Sequence, residues 1–171
     1  MSAIDLIVLG ILKQQPRSAY EIHKVVEYRS IAQWVKISTP SIYKKVLQLE
    51  AKGYIQSTVV KQGKMPEKAV YSLTKAGLEQ FHQLIQQISS QPVRLLLDFN
   101  AVIVNLDAVS IAEREQALSN IADQVRLLED TLEQSLRVKQ AVAEVPETGL
   151  AVLRQQLELA RVIRAWIADV S

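Results

Sequence analysis

The chain contains no cysteine and few histidine, glycine, proline or aromatic residues. Its 171 residues include two His, five Gly and five Pro, and aromatic residues make up 5%. Without thiols, a disulfide framework, a thiolate metal site and a cysteine nucleophile are all excluded. Two histidines are too few for a histidine-rich cluster, so no metal site is expected. The scarcity of turn residues favours long helices over a β-sandwich or barrel.

Long hydrophobic runs are also missing. The most apolar stretches, AIDLIVLGIL and LLLDFNAVIVNL, are short and are interrupted by Asp5, or by Asp98 and Asn100. A membrane helix needs about 20 consecutive apolar residues, so we expect a cytoplasmic protein with no membrane partner. No phosphate-binding glycine loop, metal ligand set or nucleophile–base pair occurs at a useful spacing. This argues against an enzyme and against a cofactor.

Charge is distributed unevenly along the chain. Residues 1–90 hold 12 Lys and Arg against 6 Asp and Glu, a net charge of +6. Residues 91–171 hold 8 against 12, a net charge of −4. A basic first half suggests a polyanion as its partner. We expect two domains, 1–90 and 91–171.

The first half reads as three helices, a hairpin and a fourth helix. Ser18 and Glu21 form a capping box that opens the second helix. Thr39 is the expected N-cap of the third helix, Pro40 its first residue and Gly53 its stop. The segments YIQSTVVK and KAVYSLT, joined by QGKMPE, are typical of a β-hairpin, and Thr74 caps the fourth helix. This order describes a winged helix-turn-helix, a mainly α fold with a small hairpin.

In a winged helix the third helix enters the DNA major groove and the hairpin touches the DNA backbone or minor groove. One face of the predicted third helix carries polar and basic residues at helical spacing: Ser41, Lys44, Lys45, Gln48 and Lys52. The hairpin adds Lys61, Lys64 and Lys68. If a dimer contacts ~8 phosphates, log K should fall with log salt at a slope of roughly −7.

Several segments also resemble one family. SAYEIHKVV, Trp34, SIYKKVLQLEAKGYI and AVYSLTKAG are similar in order and spacing to the N-terminal domain of PadR-type transcriptional regulators, over residues 4–88. The resemblance implies a repressor, less often an activator, that binds two-fold operator DNA as a homodimer. It also implies a phenolic or other hydrophobic effector in some members. Pro40 departs from the pattern, because members often carry Gly or a polar residue there.

The resemblance adds site residues to those of the third helix and hairpin. The predicted DNA contacts are Tyr20, Thr39, Ser41, Tyr43, Lys44, Lys45, Gln48, Lys61, Lys64 and Lys68. Trp34 and Trp166 are the candidate contacts of an aromatic effector, although core packing or a dimer contact is the favoured interpretation of each. Tyr43 could pack in the core with its hydroxyl reaching a phosphate, and the hairpin lysines could simply protect a strand edge.

The second half is expected to be helical and to dimerise. A helix from about Pro92 to Leu106 is followed by one of more than 30 residues, opened by a capping box of Ser110 and Glu113, and by a final helix. Long amphipathic helices need partners for their apolar stripes. The predicted dimer residues are Leu118, Ile121, Val125, Leu128, Leu153 and Leu157, although the stripe at 118–136 could instead be core. The alternative is a winged-helix module that binds proteins and has no specific DNA site, since fold does not fix function.

Overall fold

The computed structural model describes residues 2–35, 37–61, 67–142 and 145–170. The helices are α1 Ala3–Gln14, α2 Ala19–Tyr28, α3 Thr39–Ala51, α4 Lys75–Ser89, α5 Asn100–Ile103, α6 Ile111–Gln140 and α7 Glu147–Val170. The strands are β1 Ile55–Val60 and β2 Lys68–Leu73, and short 3-10 helices span Ile31–Gln33 and Leu106–Ala108. The prediction of a mainly α fold with a small hairpin is confirmed. The chain divides into two compact units, residues 1–93 and 94–171.

The first unit is built around one hydrophobic core. Helices α1, α2, α3 and α4 each contribute fully buried side chains, among them Leu9, Ile22, Ile42 and Leu84. On α3, Ile42, Val46 and Leu49 recur at spacings of four and three residues, so one stripe of the helix faces this core. The opposite face of α3 is thereby left towards solvent.

Capping residues set the helix starts, as local sequence predicted in three cases. Ser18 with Glu21 opens α2, Ser110 with Glu113 opens α6, and Thr74 caps α4 through the Gly77 amide. The prediction for α3 was wrong by one residue, because Ser38 is its N-cap and Thr39 and Pro40 are its first two residues. Ser38 is extended, at φ −130° and ψ 157°, as an N-cap should be. Pro40 is still tolerated, since its missing N–H would have had no partner inside the helix.

The hairpin is antiparallel, with Ile55 opposite Leu73 and Val60 opposite Lys68. Gly53 has φ +72°, the left-handed conformation that ends α3 and turns the chain into β1. Behind the hairpin, Gly77 of α4 lies so close to the Tyr54 carbonyl that an added Cβ would be 1.9 Å from its oxygen. The start of α4 is therefore locked against the start of β1.

The second unit is a pair of long helices preceded by an irregular segment. A cluster of Leu132, Leu153, Leu157 and Ala160 joins α6 to α7. Arg161 bonds Glu133 at 2.9 Å and Arg164 bonds Glu129 at 2.6 Å across the same pair of helices. Helix α6 has 30 residues, slightly fewer than expected.

The predicted helix from Pro92 to Leu106 is wrong. Residues 92–97 have no regular structure, and only Asn100–Ile103 and the 3-10 turn Leu106–Ala108 are helical. Residues 93–96 are exposed, so they lack the packed face that stabilises most helices in proteins. In the described residues, no helix is both long enough and apolar enough to span a membrane.

Candidate nucleic-acid interface

The solvent-facing side of α3 includes the exposed side chains of Tyr43, Lys44, Leu47 and Gln48. Leu47 is 61% exposed and Tyr43 is 40% exposed, so this side of the helix carries apolar as well as polar surface. Lysine can neutralise a phosphate and glutamine can pair with the edge of adenine. Leucine offers an apolar contact of the kind that thymine methyl groups accept. The exposed face of α3 therefore combines charge, hydrogen bonding and apolar surface.

Ser41 and Thr39, both predicted DNA contacts, already have hydrogen-bond partners in the protein. The Ser41 hydroxyl accepts from the Ser38 backbone N–H at 2.9 Å and donates to the Ser38 carbonyl at 2.6 Å. The Thr39 hydroxyl lies 2.6 Å from Nε2 of His23 on α2. Both side chains help to fix the start of α3. They therefore support the position of the helix, and their predicted contacts with DNA stay predictions.

Lys45 is the predicted contact whose position differs most from expectation. Its Nζ lies 3.1 Å from Oδ1 of Asp5, and Asp5 is only 2% exposed. Lys45 turns along the flank of α3 towards α1, away from the solvent-facing side. A cation paired with a buried carboxylate is less available to a phosphate, so Lys45 is a weaker candidate than Lys44, and its DNA contact stays a prediction.

The hairpin lysines are in different situations. Lys61 is exposed at the end of β1, and Lys64 lies outside the described residues. Lys68 on β2 bonds Oε1 of Glu21 at 3.1 Å, which ties the hairpin to the start of α2. The Ser18 backbone N–H and then the Ser18 hydroxyl lower the pKa of Glu21 to about 2, and Lys68 contributes further. Glu21 is therefore ionised at neutral pH and holds Lys68 in place.

Tyr20, near the start of α2, has an exposed side chain. The Nζ of Lys24 lies 5.6 Å from the centre of its ring, and Lys24 also bonds Glu27 at 2.9 Å. This second exposed aromatic group, flanked by a cation, is suited to contact a sugar–phosphate backbone.

Leu47 and Asp5 were not among the residues predicted from sequence. Residues in a helix are spaced by about 100°, which places Leu47 on the far side of Val46 from Ile42. This helical spacing can be worked out from the sequence alone, and it predicts that Leu47 is exposed. Asp5 gave no such signal, because its pairing with Lys45 joins residues 40 positions apart.

The two candidate effector tryptophans lie in different units. Trp34 packs against the core of the first unit. Trp166 is 39% exposed and stacks on Phe99, with ring centres 6.2 Å apart and planes at 30°. These rings border a cavity of about 270 Å³ that is lined by Leu97, Phe99, Asn100, Val162, Ile163 and Trp166.

Most of the predicted dimer residues are already buried inside one chain. Leu118, Val125, Leu153 and Leu157 are each at most 6% exposed. Ile121 is partly buried, whereas Leu128 is 48% exposed. A larger apolar groove of about 480 Å³ is lined by Leu96, Leu97, Asp98, Phe99, Asn120, Ile121, Gln124, Val125, Leu128 and Ile163. The exposed apolar surface of this unit is therefore beside the predicted stripe and only partly within it.

The sequence matches the family model described as "Transcriptional regulator PadR-like family" over residues 8–83. This range covers α2, α3, the hairpin and most of α1 and α4, and it confirms the resemblance noted in the sequence. None of the curated proteins matches the sequence significantly.

Solved structures match over nearly the whole chain. Bacillus subtilis PadR in complex with operator DNA is 22% identical, with a TM-score of 0.82, covering 99% of this chain and 97% of that one. The same protein in complex with p-coumaric acid is 20% identical, with a TM-score of 0.82 and coverages of 99% and 96%. The Vibrio cholerae virulence activator AphA is 18% identical, with a TM-score of 0.75 and coverages of 98% and 95%. At these identities the likeness establishes the fold, including the long C-terminal helices.

Proposed function

We propose that residues 8–83, which match the PadR-like family model, form a DNA-binding domain of that family of transcriptional regulators, and that the chain binds operator DNA in a sequence-specific manner. The proposal makes α3 the recognition helix, lying in the major groove, and the hairpin the wing, lying on the flanking backbone. The first unit has the basic charge that such a role requires, a net +6 over residues 1–90.

The observation that carries this proposal is the exposed face of α3. Four of its exposed side chains divide into two kinds of DNA contact. Lys44 supplies charge for a phosphate, whereas Gln48 and Leu47 supply a hydrogen-bonding and an apolar contact for base edges. Tyr43 lies at the edge of the same face, where its hydroxyl can reach the backbone.

We further propose that the protein acts as a homodimer. The second unit supplies the surface, since Leu96 and Leu128 are exposed beside a groove that one chain leaves open. Exposed apolar patches of this kind favour association. A two-fold dimer would read half-sites about 34–36 Å apart, or a multiple of that distance. Occupying promoter DNA in this way suits a repressor, and that is the regulatory role we propose.

A small aromatic effector is a further part of the proposal. The cavity beside Phe99 and Trp166 offers two stacked rings and an apolar lining. Such a site suits a flat, hydrophobic ligand. Quenching of Trp166 fluorescence by phenolic acids, in a Trp34→Phe background, measures this binding directly. An unchanged signal across a broad panel of aromatic compounds would count against the site.

A DNA selection tests the main proposal. Immobilised protein is exposed to fragmented genomic DNA from its source at about 0.15 M salt, an ionic strength that screens weak surface contacts. The retained DNA is then sequenced. Enrichment of an inverted repeat upstream of a few genes is the expected result. Salt-sensitive retention without any motif would indicate an architectural DNA binder. No retention would favour the alternative of a protein-binding module on the same scaffold.

A further inference from the structure

Helix α3 is held along its flanks by polar contacts to three other elements of the first unit. On one flank, Lys45 bonds Asp5 of α1. On the other, Oε1 of Glu50 accepts the Ser57 backbone N–H of β1 at 3.1 Å. At the helix start, Thr39 bonds His23 of α2. These contacts lie between the buried stripe of α3 and its solvent-facing side.

Such contacts supply what core packing alone does not. The buried residues of α3 are Ile42, Val46 and Leu49, three smooth aliphatic side chains on one stripe. Aliphatic packing is non-directional, so it fixes the depth of a helix better than its rotation. Neighbouring positions differ by about 100° around the axis. A modest rotation would therefore move Gln48 and Leu47 away from the bases they are proposed to contact.

Asp5 is the most deeply buried of these flank groups. Its Oδ2 accepts the Ser2 backbone N–H at 2.6 Å and the Ser2 hydroxyl at 3.1 Å, while its Oδ1 faces Lys45 at 3.1 Å. One oxygen thus caps its own helix and the other binds α3. Because a buried charge is costly unless paired, the carboxylate holds Lys45 strongly to one position.

We propose that Asp5 is a positioning residue for sequence recognition, which acts through Lys45 by fixing the rotation of α3. The inference rests on the proposed function of α3 as the recognition helix. It assigns a role to α1, which lies outside the predicted DNA contacts. It also explains why Lys45 is basic, since its charge serves the protein interior.

The rotation of α3 can be measured without DNA. The chain has no native cysteine, so spin labels attached after Gln48→Cys and Glu79→Cys report one distance between exposed sites on α3 and α4. The labelled parent should give one narrow distance distribution. Asp5→Asn and Lys45→Met should broaden or shift it, whereas Lys45→Arg, which keeps the cation, should restore it. An unchanged distribution in both Asp5→Asn and Lys45→Met overturns the proposal, whatever the DNA measurements show.

DNA binding provides the second readout, on unlabelled protein. In the single variants, the ratio of operator affinity to random-sequence affinity should fall about tenfold, the loss expected for one misplaced base contact. If the parent binds no operator but Asp5→Asn and Lys45→Met broaden the distance distribution, the proposed function is refuted. The role of Asp5 in fixing the rotation of α3 then still stands. Glu147→Gln, which breaks the exposed pair of Glu147 with Arg154, is the matched control and should change neither readout.

A double variant separates positioning from simple charge balance. Asp5→Asn with Lys45→Met removes both charges, so thermal stability should recover relative to Lys45→Met alone. If Asp5 positions α3, the distance distribution stays broad and specificity stays low. Recovery of all three properties together would mean that the pair only balances charge, and would overturn the proposal. Lys45→Met leaves the α1 cap intact, so it carries the test even if Asp5→Asn fails to fold.

Discussion

Glu21 offers the sharpest quantitative prediction, because one carboxylate stabilises the first unit in two ways. It accepts the Ser18 backbone N–H at 2.7 Å and the Ser18 hydroxyl at 2.8 Å, closing the cap of α2. It also bonds Lys68 of β2 at 3.1 Å. Replacing Glu21 by Gln keeps the shape of the side chain and removes its charge. We expect the first unit to lose stability at neutral pH.

The magnitude follows from the pKa of Glu21, which falls from an ordinary 4.5 to about 2 on folding. A lowered pKa means that the folded state favours the ionised form. Its stabilising contribution is therefore complete above pH 4.5 and is lost as the pH falls towards 2. Full conversion of this difference gives roughly 3 kcal/mol. Because the side chain is 39% exposed, solvent screening reduces the expected loss in Glu21→Gln to about 1 kcal/mol.

Urea denaturation followed by Trp34 fluorescence, in a Trp166→Phe background, measures the first unit alone. The loss in Glu21→Gln should be about 1 kcal/mol at pH 7 and should approach zero near pH 2.5. The matched control is Glu113→Gln, which alters the same type of capping box in the second unit and should leave the Trp34 transition unchanged. An equal loss at both pH values would contradict the electrostatic argument, as would no loss at pH 7.

Three further predictions concern packing and DNA binding. Gly77→Ala should destabilise the first unit by about 2 kcal/mol or more, measured by urea denaturation, because its Cβ would collide with the Tyr54 carbonyl. Leu157→Ala should cost the second unit about 2–5 kcal/mol, measured through Trp166, because it opens a cavity between α6 and α7. Lys44→Ala should weaken binding to operator and random DNA alike. It should also reduce the steepness of the salt slope by about one for each phosphate contact that is lost.

Features that depend on neighbouring residues could be predicted from the sequence. The boxes of Ser18 with Glu21 and Ser110 with Glu113 each span three residues, so their chemistry is complete in the local sequence. The stop of α3 at Gly53 is similarly local, since it needs one residue that tolerates positive φ. The order of three helices, hairpin and fourth helix followed from these signals, and that order predicts α3 as the helix that enters the major groove.

Features that depend on tertiary contacts could not be predicted in this way. The sequence left open whether the stripe that includes Leu118 and Val125 packs in the core or faces a second copy, and both residues are buried within one chain. Periodicity shows that a helix face is apolar without showing what covers it. The expected helix at 92–106 failed for a related reason, because an apolar segment becomes helical only where packing supports it.

The same distinction changes the expected electrostatics of DNA binding. Five lysines were predicted to contact DNA, but Lys45 and Lys68 each bind a carboxylate of the protein. Breaking either pair to reach a phosphate exchanges one ionic contact for another and releases little net counterion. If the other three predicted lysines of each protomer contact phosphates, the six in the proposed dimer correspond to a salt slope of about −5, shallower than the −7 expected from ~8 phosphates. A measured slope near −9 would correspond to about ten phosphate contacts that each release a counterion, and would contradict this accounting.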